Sequence, residues 1–171
     1  MAYSLWLLPH EQTTKTCLTE VVTGLAARHD GPVFEPHMTM LGDVDLTLDM
    51  LSEKMKEVAQ NTSILELKTS SVEYSTSYYQ CVFVRVRPTP RLMQLFDDMK
   101  QNLGLTKPSV FMPHISLYYG NLPYRERHEI ATSLKLETQE FTSQSIVITP
   151  SGADVTPDKW DHLKEFSFRE N

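Results

Sequence analysis

Apolar positions along this chain follow two spacings, one typical of strands and one typical of helices. The apolar run from Tyr3 to Leu8 predicts an opening strand, because it is short and ends at Pro9. A helical pattern follows it and closes before Gly31. The same reasoning predicts further helices from about Thr47, from Thr89-Pro90 to Gly104 and from about Pro123 to Leu134, and β-rich runs at 64–74, 77–87, 139–149 and 160–169.

One segment of the chain is written twice. Residues 32–41 and residues 109–118 align without a gap, and Val, Phe, Pro and His coincide in the two copies. The histidines are His37 and His114, each in a short strand-like context. The two copies therefore predict two strands that bracket one site.

Each histidine is followed two positions later by a hydroxyl residue, Thr39 in the first copy and Ser116 in the second. Strand side chains alternate between faces, so each imidazole and its hydroxyl point the same way. The apolar residues between and after them point to the other face. Each copy thus offers one imidazole and one hydroxyl to the same space, backed by a core.

The order of elements also repeats. Strand, helix, His-strand, helix and two strands are followed by helix, His-strand, helix and two strands. This order predicts an α+β fold, and no low-complexity linker divides it. We expect residues 1–171 to form a single domain with two lobes that share a cleft.

The composition of the chain limits the classes of molecule that it is expected to bind. The 171 residues include 40% apolar and 22% charged positions, with a formal net charge of −6 and no basic run. Tight binding of long nucleic acid is disfavoured, because such affinity depends on Lys and Arg. The N-terminus lacks the features of a signal peptide, and no apolar stretch is long enough to cross a membrane. We expect a soluble, cytoplasmic monomer that acts on a small molecule.

The two cysteines carry little functional signal. Cys17 lies on a predicted helix and Cys81 in a β-rich run, without the Cys/His spacing of a metal site. Two free thiols are the favoured interpretation, and a single disulfide between them stays open.

Two imidazoles and two hydroxyls suit hydrolysis of a cyclic phosphodiester. One His can deprotonate water, the other can protonate the leaving alkoxide, and Thr39 and Ser116 can donate to the phosphoryl oxygens. No metal or cofactor is required. Zinc is a weaker alternative because hydroxyls are poor zinc ligands, and Glu35 has only Met112 as its counterpart in the second copy.

Segments 36–39 and 113–116 resemble the motifs of the two-histidine (2H) phosphoesterase superfamily. Within it, the chain most resembles the plant and fungal cyclic phosphodiesterases. Residues 3–9 resemble that family's opening strand, 79–83 its central strand and 113–119 its second motif. The likeness weakens after about residue 135.

The resemblance implies a bilobal α+β fold with two pseudo-twofold-related lobes, each with an antiparallel sheet and helices, and a site between them. It implies metal-independent hydrolysis of nucleoside 2′,3′-cyclic phosphates to 2′-phosphates. It also implies conversion of ADP-ribose 1″,2″-cyclic phosphate, a by-product of tRNA splicing, to ADP-ribose 1″-phosphate.

The resemblance also suggests residue roles. His37, Thr39, His114 and Ser116 would form the catalytic tetrad, with His114 activating water and His37 protonating the leaving oxygen. The aromatic residues that would line the cleft around the base or ribose are Trp6, Tyr79 and Tyr119. Strict strand alternation would turn Tyr119 away from His114, so its role requires the strand to end or twist before Gly120.

Rival functions stay open at this point. The chain could be an RNA end-processing phosphoesterase or a 2′–5′ oligonucleotide phosphodiesterase, although those tasks favour a basic groove. It could also be a nucleotide-binding module without turnover, which the intact tetrad argues against. The remaining histidines have no hydroxyl two positions later and are interpreted as surface or structural residues: His10, His29, His128 and His162.

Overall fold

A computed structural model describes residues 2–170 of the chain. The strands are β1 (Ala2–Leu7), β2 (Met38–Val44), β3 (Leu65–Tyr74), β4 (Val82–Val86), β5 (His114–Tyr118), β6 (Glu140–Ser143), β7 (Ser145–Ser151) and β8 (Lys164–Ser167). The helices are α1 (Gln12–His29), α2 (Leu48–Asn61), α3 (Pro90–Asn102) and α4 (Tyr124–Ser133), with a 3₁₀ turn at Pro157–Lys159.

Two antiparallel sheets of four strands each form the frame of the molecule. The first has the order β2-β1-β7-β8 and the second the order β5-β4-β3-β6. The predicted α+β class with a sheet in each lobe is confirmed. The lobes are not consecutive halves of the chain, because β3 and β4 pair with β5 and β6, whereas β7 and β8 return to β1.

Equivalent edges of the two sheets carry the repeated motif. β2 and β5 each form one edge, each beside the strand that precedes it in the chain, β1 or β4, and the two edge strands contact each other. The topology therefore brings the two copies of the motif together at the junction of the sheets.

Local sequence signals define the helices that pack around these sheets. The Thr47 and Thr89 hydroxyls accept hydrogen bonds from the backbone N–H groups of Met50 and Leu92 and so cap the first turns of α2 and α3. Pro90 occupies the first turn of α3, where its missing N–H costs nothing. Helices α1, α2 and α3 each bury one apolar stripe, which includes Leu18, Val22 and Leu25 in α1, Leu51, Met55 and Val58 in α2, and Leu92, Phe96 and Met99 in α3.

The β-rich run predicted over 77–87 is too long. β4 begins only at Val82, because residues 75–80 form a turn in which Ser75 Oγ donates to the Gln80 carbonyl and Ser77 Oγ accepts from the Gln80 N–H. Tyr79 therefore lies in a turn and not in the central strand.

The two predicted C-terminal strands also differ from those observed. The 139–149 run divides at Gln144 into β6 and β7, which belong to different sheets. The 160–169 run contributes only β8. Both thiols are free, with Cys81 buried and Cys17 half-buried. Within residues 2–170, no helix combines the length and apolar character needed to span a membrane.

Candidate active site

The repeated histidines meet in one cleft between the sheets. His37 directly precedes β2 and His114 begins β5, and both line a cavity of about 700 Å³ together with Thr39 and Ser116. This volume is in the range of small-molecule and nucleotide sites.

Both imidazoles make the same backbone hydrogen bond. His37 Nδ1 lies 2.7 Å from the Glu35 carbonyl oxygen, and His114 Nδ1 lies 2.7 Å from the Met112 carbonyl oxygen. A carbonyl only accepts, so each Nδ1 carries a proton and donates. Nε2 is then the atom of each ring that can take up or release a proton in the cleft.

The cross-strand neighbours reveal a third component of the repeat. Trp6 on β1 pairs with Thr39 in register, and Phe83 on β4 pairs with Ser116. The Trp6 ring stacks on His37 with centroids 3.5 Å apart and planes at 10°, whereas Phe83 meets His114 edge-on at 5.1 Å and 67°. Each imidazole thus rests on an aromatic ring from the adjacent strand, with different geometry in the two lobes.

The hydroxyls of Ser116 and Thr39 lie in different surroundings. Ser116 Oγ is buried and donates to the Tyr79 carbonyl oxygen at 2.9 Å. Thr39 is half-buried at the cleft surface. A ligand oxygen in the cleft would therefore compete with the Tyr79 carbonyl for the Ser116 proton.

Burial favours the neutral form of both histidines. It lowers the pKa of His37 from 6.5 to about 4; the hydrogen bond to the Glu35 carbonyl opposes this change, and nearby His114 and His162 lower the pKa further. Burial also lowers the pKa of His114, helped by the positive charge of Arg85 and opposed by the Met112 carbonyl. Burial therefore favours the neutral form of both imidazoles.

All three aromatic residues expected in the cleft line it, but their exposure differs. Trp6 and Tyr119 are only 3% and 4% exposed, and Tyr119 stacks on Phe34 with centroids 4.0 Å apart. The Tyr79 ring is 56% exposed. β5 ends at Tyr118, so Tyr119 is free of strand alternation and turns toward the cleft.

Trp160 is a cleft residue that the sequence did not reveal. It follows the 3₁₀ turn and meets the rings of Trp6 and His37 edge-on, at 5.4 and 5.7 Å. It lies in the C-terminal region, outside both copies of the repeat. Its only sequence signal is that tryptophan is rare in this chain.

His162 lies closer to the site than expected for an uninvolved residue. Its Nε2 is 2.7 Å from Glu35 Oε2, and the backbone carbonyl of the same Glu35 binds His37. The side chain of Glu35 thus joins the segment after Trp160 to the segment before β2. This contact has no counterpart at Met112.

The charge of the cleft is low. Of the described residues that line the cleft, none is Lys or Arg, and Asp43 is the one with a carboxylate. Among residues 2–170, no group of three or more His, Cys, Asp and Glu side chains is placed to hold a metal ion. The polar groups that the cleft offers to a ligand include the imidazoles and hydroxyls of the repeat.

Comparisons with known proteins agree with this geometry. The profile of the family described as cyclic phosphodiesterase-like protein matches residues 1–160. A cyclic phosphodiesterase from Arabidopsis thaliana is 27% identical over 125 residues, which cover 73% of this chain and 68% of that protein. A 2′,3′-cyclic-nucleotide 3′-phosphodiesterase from Yarrowia lipolytica is 28% identical over 155 residues, which cover 83% of this chain and 68% of that protein.

A solved structure shows the same fold. The crystal structure of E. coli LigT complexed with 3′-AMP superposes with a TM-score of 0.63 at 13% identity, covering 98% of this chain and 97% of that chain. The fold and the paired histidine strands are those of a two-histidine phosphoesterase. The chain belongs to the cyclic phosphodiesterase-like protein family, and it is a phosphodiesterase that acts on cyclic phosphodiesters.

Proposed function

We propose that this enzyme hydrolyses nucleoside 2′,3′-cyclic phosphates to 2′-phosphates, and ADP-ribose 1″,2″-cyclic phosphate to ADP-ribose 1″-phosphate, without a metal ion. The observation that carries the proposal is the matched pair of Nδ1–carbonyl hydrogen bonds at His37 and His114. Because Nδ1 of each ring is engaged, the Nε2 atoms of both rings can exchange protons with a ligand in the same cleft, as a paired acid and base require.

The reaction is an in-line displacement at phosphorus. Nε2 of one imidazole takes a proton from water as the water oxygen forms its bond to phosphorus. The bond from phosphorus to one ring oxygen breaks on the opposite side, and Nε2 of the second, protonated imidazole gives that oxygen its proton. The two histidines exchange protonation states in each turnover.

The second imidazole takes up its proton from solvent as the substrate binds. Burial favours the neutral form of both rings, but the negative charge of a bound phosphodiester favours the imidazolium form. Thr39 and Ser116 donate to the non-bridging oxygens, and Ser116 leaves the Tyr79 carbonyl to do so.

Differences between the lobes support assigning the roles. Burial lowers the pKa of His114, and the positive charge of its cross-strand partner Arg85 lowers it further, which favours the neutral imidazole that a base requires. The Trp6 face that covers His37 stabilises an imidazolium by a cation–π interaction. We therefore assign His114 to the attacking water and His37 to the leaving 3′ oxygen, which yields a 2′-phosphate.

The charge and size of the cleft support a small substrate. A cleft of about 700 Å³ accommodates a nucleotide, and its lining lacks the Lys and Arg side chains that track a nucleic-acid backbone. The name of the Yarrowia lipolytica relative supports the same substrate class and the same scissile bond. RNA end processing and 2′–5′ oligonucleotide cleavage are less well supported by this cleft.

A direct assay tests the proposal. The purified enzyme is incubated with adenosine 2′,3′-cyclic phosphate, with ADP-ribose 1″,2″-cyclic phosphate and with a 2′–5′ oligoadenylate, each with and without EDTA. We expect turnover of both cyclic phosphates, unchanged by EDTA. Turnover of the oligoadenylate alone, or activity that EDTA removes, would contradict the proposal.

A further inference from the structure

Arg127 is a buried cation on the inner face of α4. Its side chain is 3% exposed, and its guanidinium donates to four backbone carbonyl oxygens. Nε donates to Leu122 at 2.8 Å, Nη1 to Ser75 at 2.6 Å and to Ser77 at 3.0 Å, and Nη2 to Gly120 at 3.4 Å. The four carbonyls belong to two separate loops, so the guanidinium ties them to each other and to α4.

Backbone carbonyl groups, and not a carboxylate, compensate the buried charge of Arg127. Arg127 takes part in none of the salt bridges that the structure describes within residues 2–170. Burying a charge costs free energy unless hydrogen bonds satisfy it. Here the hydrogen bonds to the backbone carbonyl oxygens satisfy the guanidinium. The planar fork of an arginine reaches several carbonyls at once, which the single ammonium of lysine cannot do.

Both loops that Arg127 holds form one wall of the cleft. The 75–80 turn contributes Tyr79 and Gln80 to the lining, and the segment that ends at Gly120 contributes Tyr119. The Gly120 N–H also donates to the Tyr78 carbonyl, so the two loops contact each other beside the guanidinium. The Arg127 guanidinium thus hydrogen-bonds the backbone of both loops of this wall from α4.

We propose that Arg127 is a positioning residue for the nucleoside part of the substrate. It fixes the turn that presents the exposed Tyr79 ring to the base, while it does not itself line the cleft. Stacking on an aromatic ring binds a base without demanding one particular base. This inference rests on the proposed hydrolysis of nucleoside cyclic phosphates and adds the group that holds the base-binding wall in place.

A purely structural role would give a different kinetic result. Loss of a structural residue lowers the folded fraction and with it the apparent kcat for every substrate. Displacement of the Tyr79 ring weakens the binding of substrates that have a base and does not change the binding of a cyclic phosphate without one. The change in KM therefore separates the two roles.

The test compares Arg127→Lys and Arg127→Gln with Arg125→Lys. Arg125 lies on the same helix with its side chain 88% exposed and paired with Glu129, so it is the matched control. Steady-state kinetics are measured with adenosine 2′,3′-cyclic phosphate and with glycerol 1,2-cyclic phosphate, which has no base. We expect both Arg127 variants to raise KM for the nucleoside roughly tenfold, the range of one base–aromatic stack, with kcat within about threefold. KM for the glycerol ester should not change.

A double-mutant cycle with Tyr79→Ala links the effect to the turn. Tyr79→Ala alone should raise the nucleoside KM by a similar factor, and adding Arg127→Lys should then change it little. Equal effects on both substrates, additive effects, or variants that do not fold would overturn the inference. Failure of the wild-type enzyme to hydrolyse either cyclic phosphate would instead refute the proposed function.

Discussion

Trp6 lies face to face with His37, whereas no ring within residues 2–170 stacks on His114 in this way. The ring centroids are 3.5 Å apart with the planes at 10°, whereas Phe83 meets His114 only edge-on. A tryptophan face stabilises an adjacent cation, which supports our proposal that His37 carries the proton once the phosphate is bound. The repeat is thus nearly symmetric in its backbone and asymmetric in its aromatic partners.

Replacing Trp6 should therefore lower the pKa of His37, the proposed acid. In Trp6→Leu we expect the basic limb of the kcat profile to move about one pH unit lower, because the His37 imidazolium loses its aromatic face. The matched variant Trp6→Phe keeps a ring and should show a smaller shift. Measurement of kcat between pH 5 and pH 9 checks this, and identical profiles for Trp6→Leu and wild type would refute the cation–π role.

Acid should destabilise the fold through His37. Its pKa is about 4 in the folded protein against 6.5 for the free side chain, so the unfolded chain binds more protons between these values. Stability is full above pH 6.5 and is lost as the pH falls toward 4. This one group accounts for about 2 kcal/mol between pH 7 and pH 5.

Urea unfolding at both pH values tests that linkage. His37→Gln lacks the titrating group, so its free energy of unfolding should fall less than that of wild type by about the same 2 kcal/mol. His114 contributes with the same sign, because its pKa is also lowered. An equal loss of stability in wild type and His37→Gln would show that His37 is not the buried neutral imidazole described above.

The two hydroxyls should be needed for turnover more than for binding. Removing a donor to the developing charge typically costs about 10²–10³ in kcat, and we expect Thr39→Val and Ser116→Ala to approach this range. Thr39→Ser and Ser116→Thr retain the hydroxyl and serve as controls. A rise in KM with unchanged kcat would mean that the hydroxyls bind the ground state only.

The position of the product phosphate reports which histidine is the acid. If His37 protonates the 3′ oxygen, adenosine 2′,3′-cyclic phosphate should give only the 2′-phosphate, which phosphorus NMR distinguishes from the 3′-phosphate. Tyr79→Ala should loosen this choice, because its ring is the exposed aromatic surface of the cleft. A 3′-phosphate as the sole wild-type product would reverse the roles of His37 and His114.

The sequence predicts those parts of the site that lie on single strands. His37 with Thr39, and His114 with Ser116, are two residues apart, so period-2 alternation places each pair on one face without knowledge of the fold. The pairing of Trp6 with Thr39 and of Phe83 with Ser116 joins different strands, and it follows only from the sheet register. Sequence resemblance suggested Trp6 but gave no reason to consider Phe83.

Long-range contacts explain the remaining differences. The apolar and aromatic neighbours of Tyr79 predict a strand. The structure instead has a turn at 75–80, which serine side chains and Arg127 hold by hydrogen bonds. Trp160 enters the cleft because β7 returns to the first sheet and carries the following segment across it. Neither effect has a local periodic signal, so pattern analysis of the chain could not reveal them.

Kinetics of the histidine variants test the central claim most directly, that two imidazoles act as one acid–base pair without a metal. With adenosine 2′,3′-cyclic phosphate and EDTA present, His37→Ala and His114→Ala should each lower kcat by roughly two to four orders of magnitude. The double variant should lose less than the product of the two, because the residues act as a unit. His128→Ala, an exposed histidine outside the cleft, should match wild type. Near-wild-type turnover in either single variant would contradict the account.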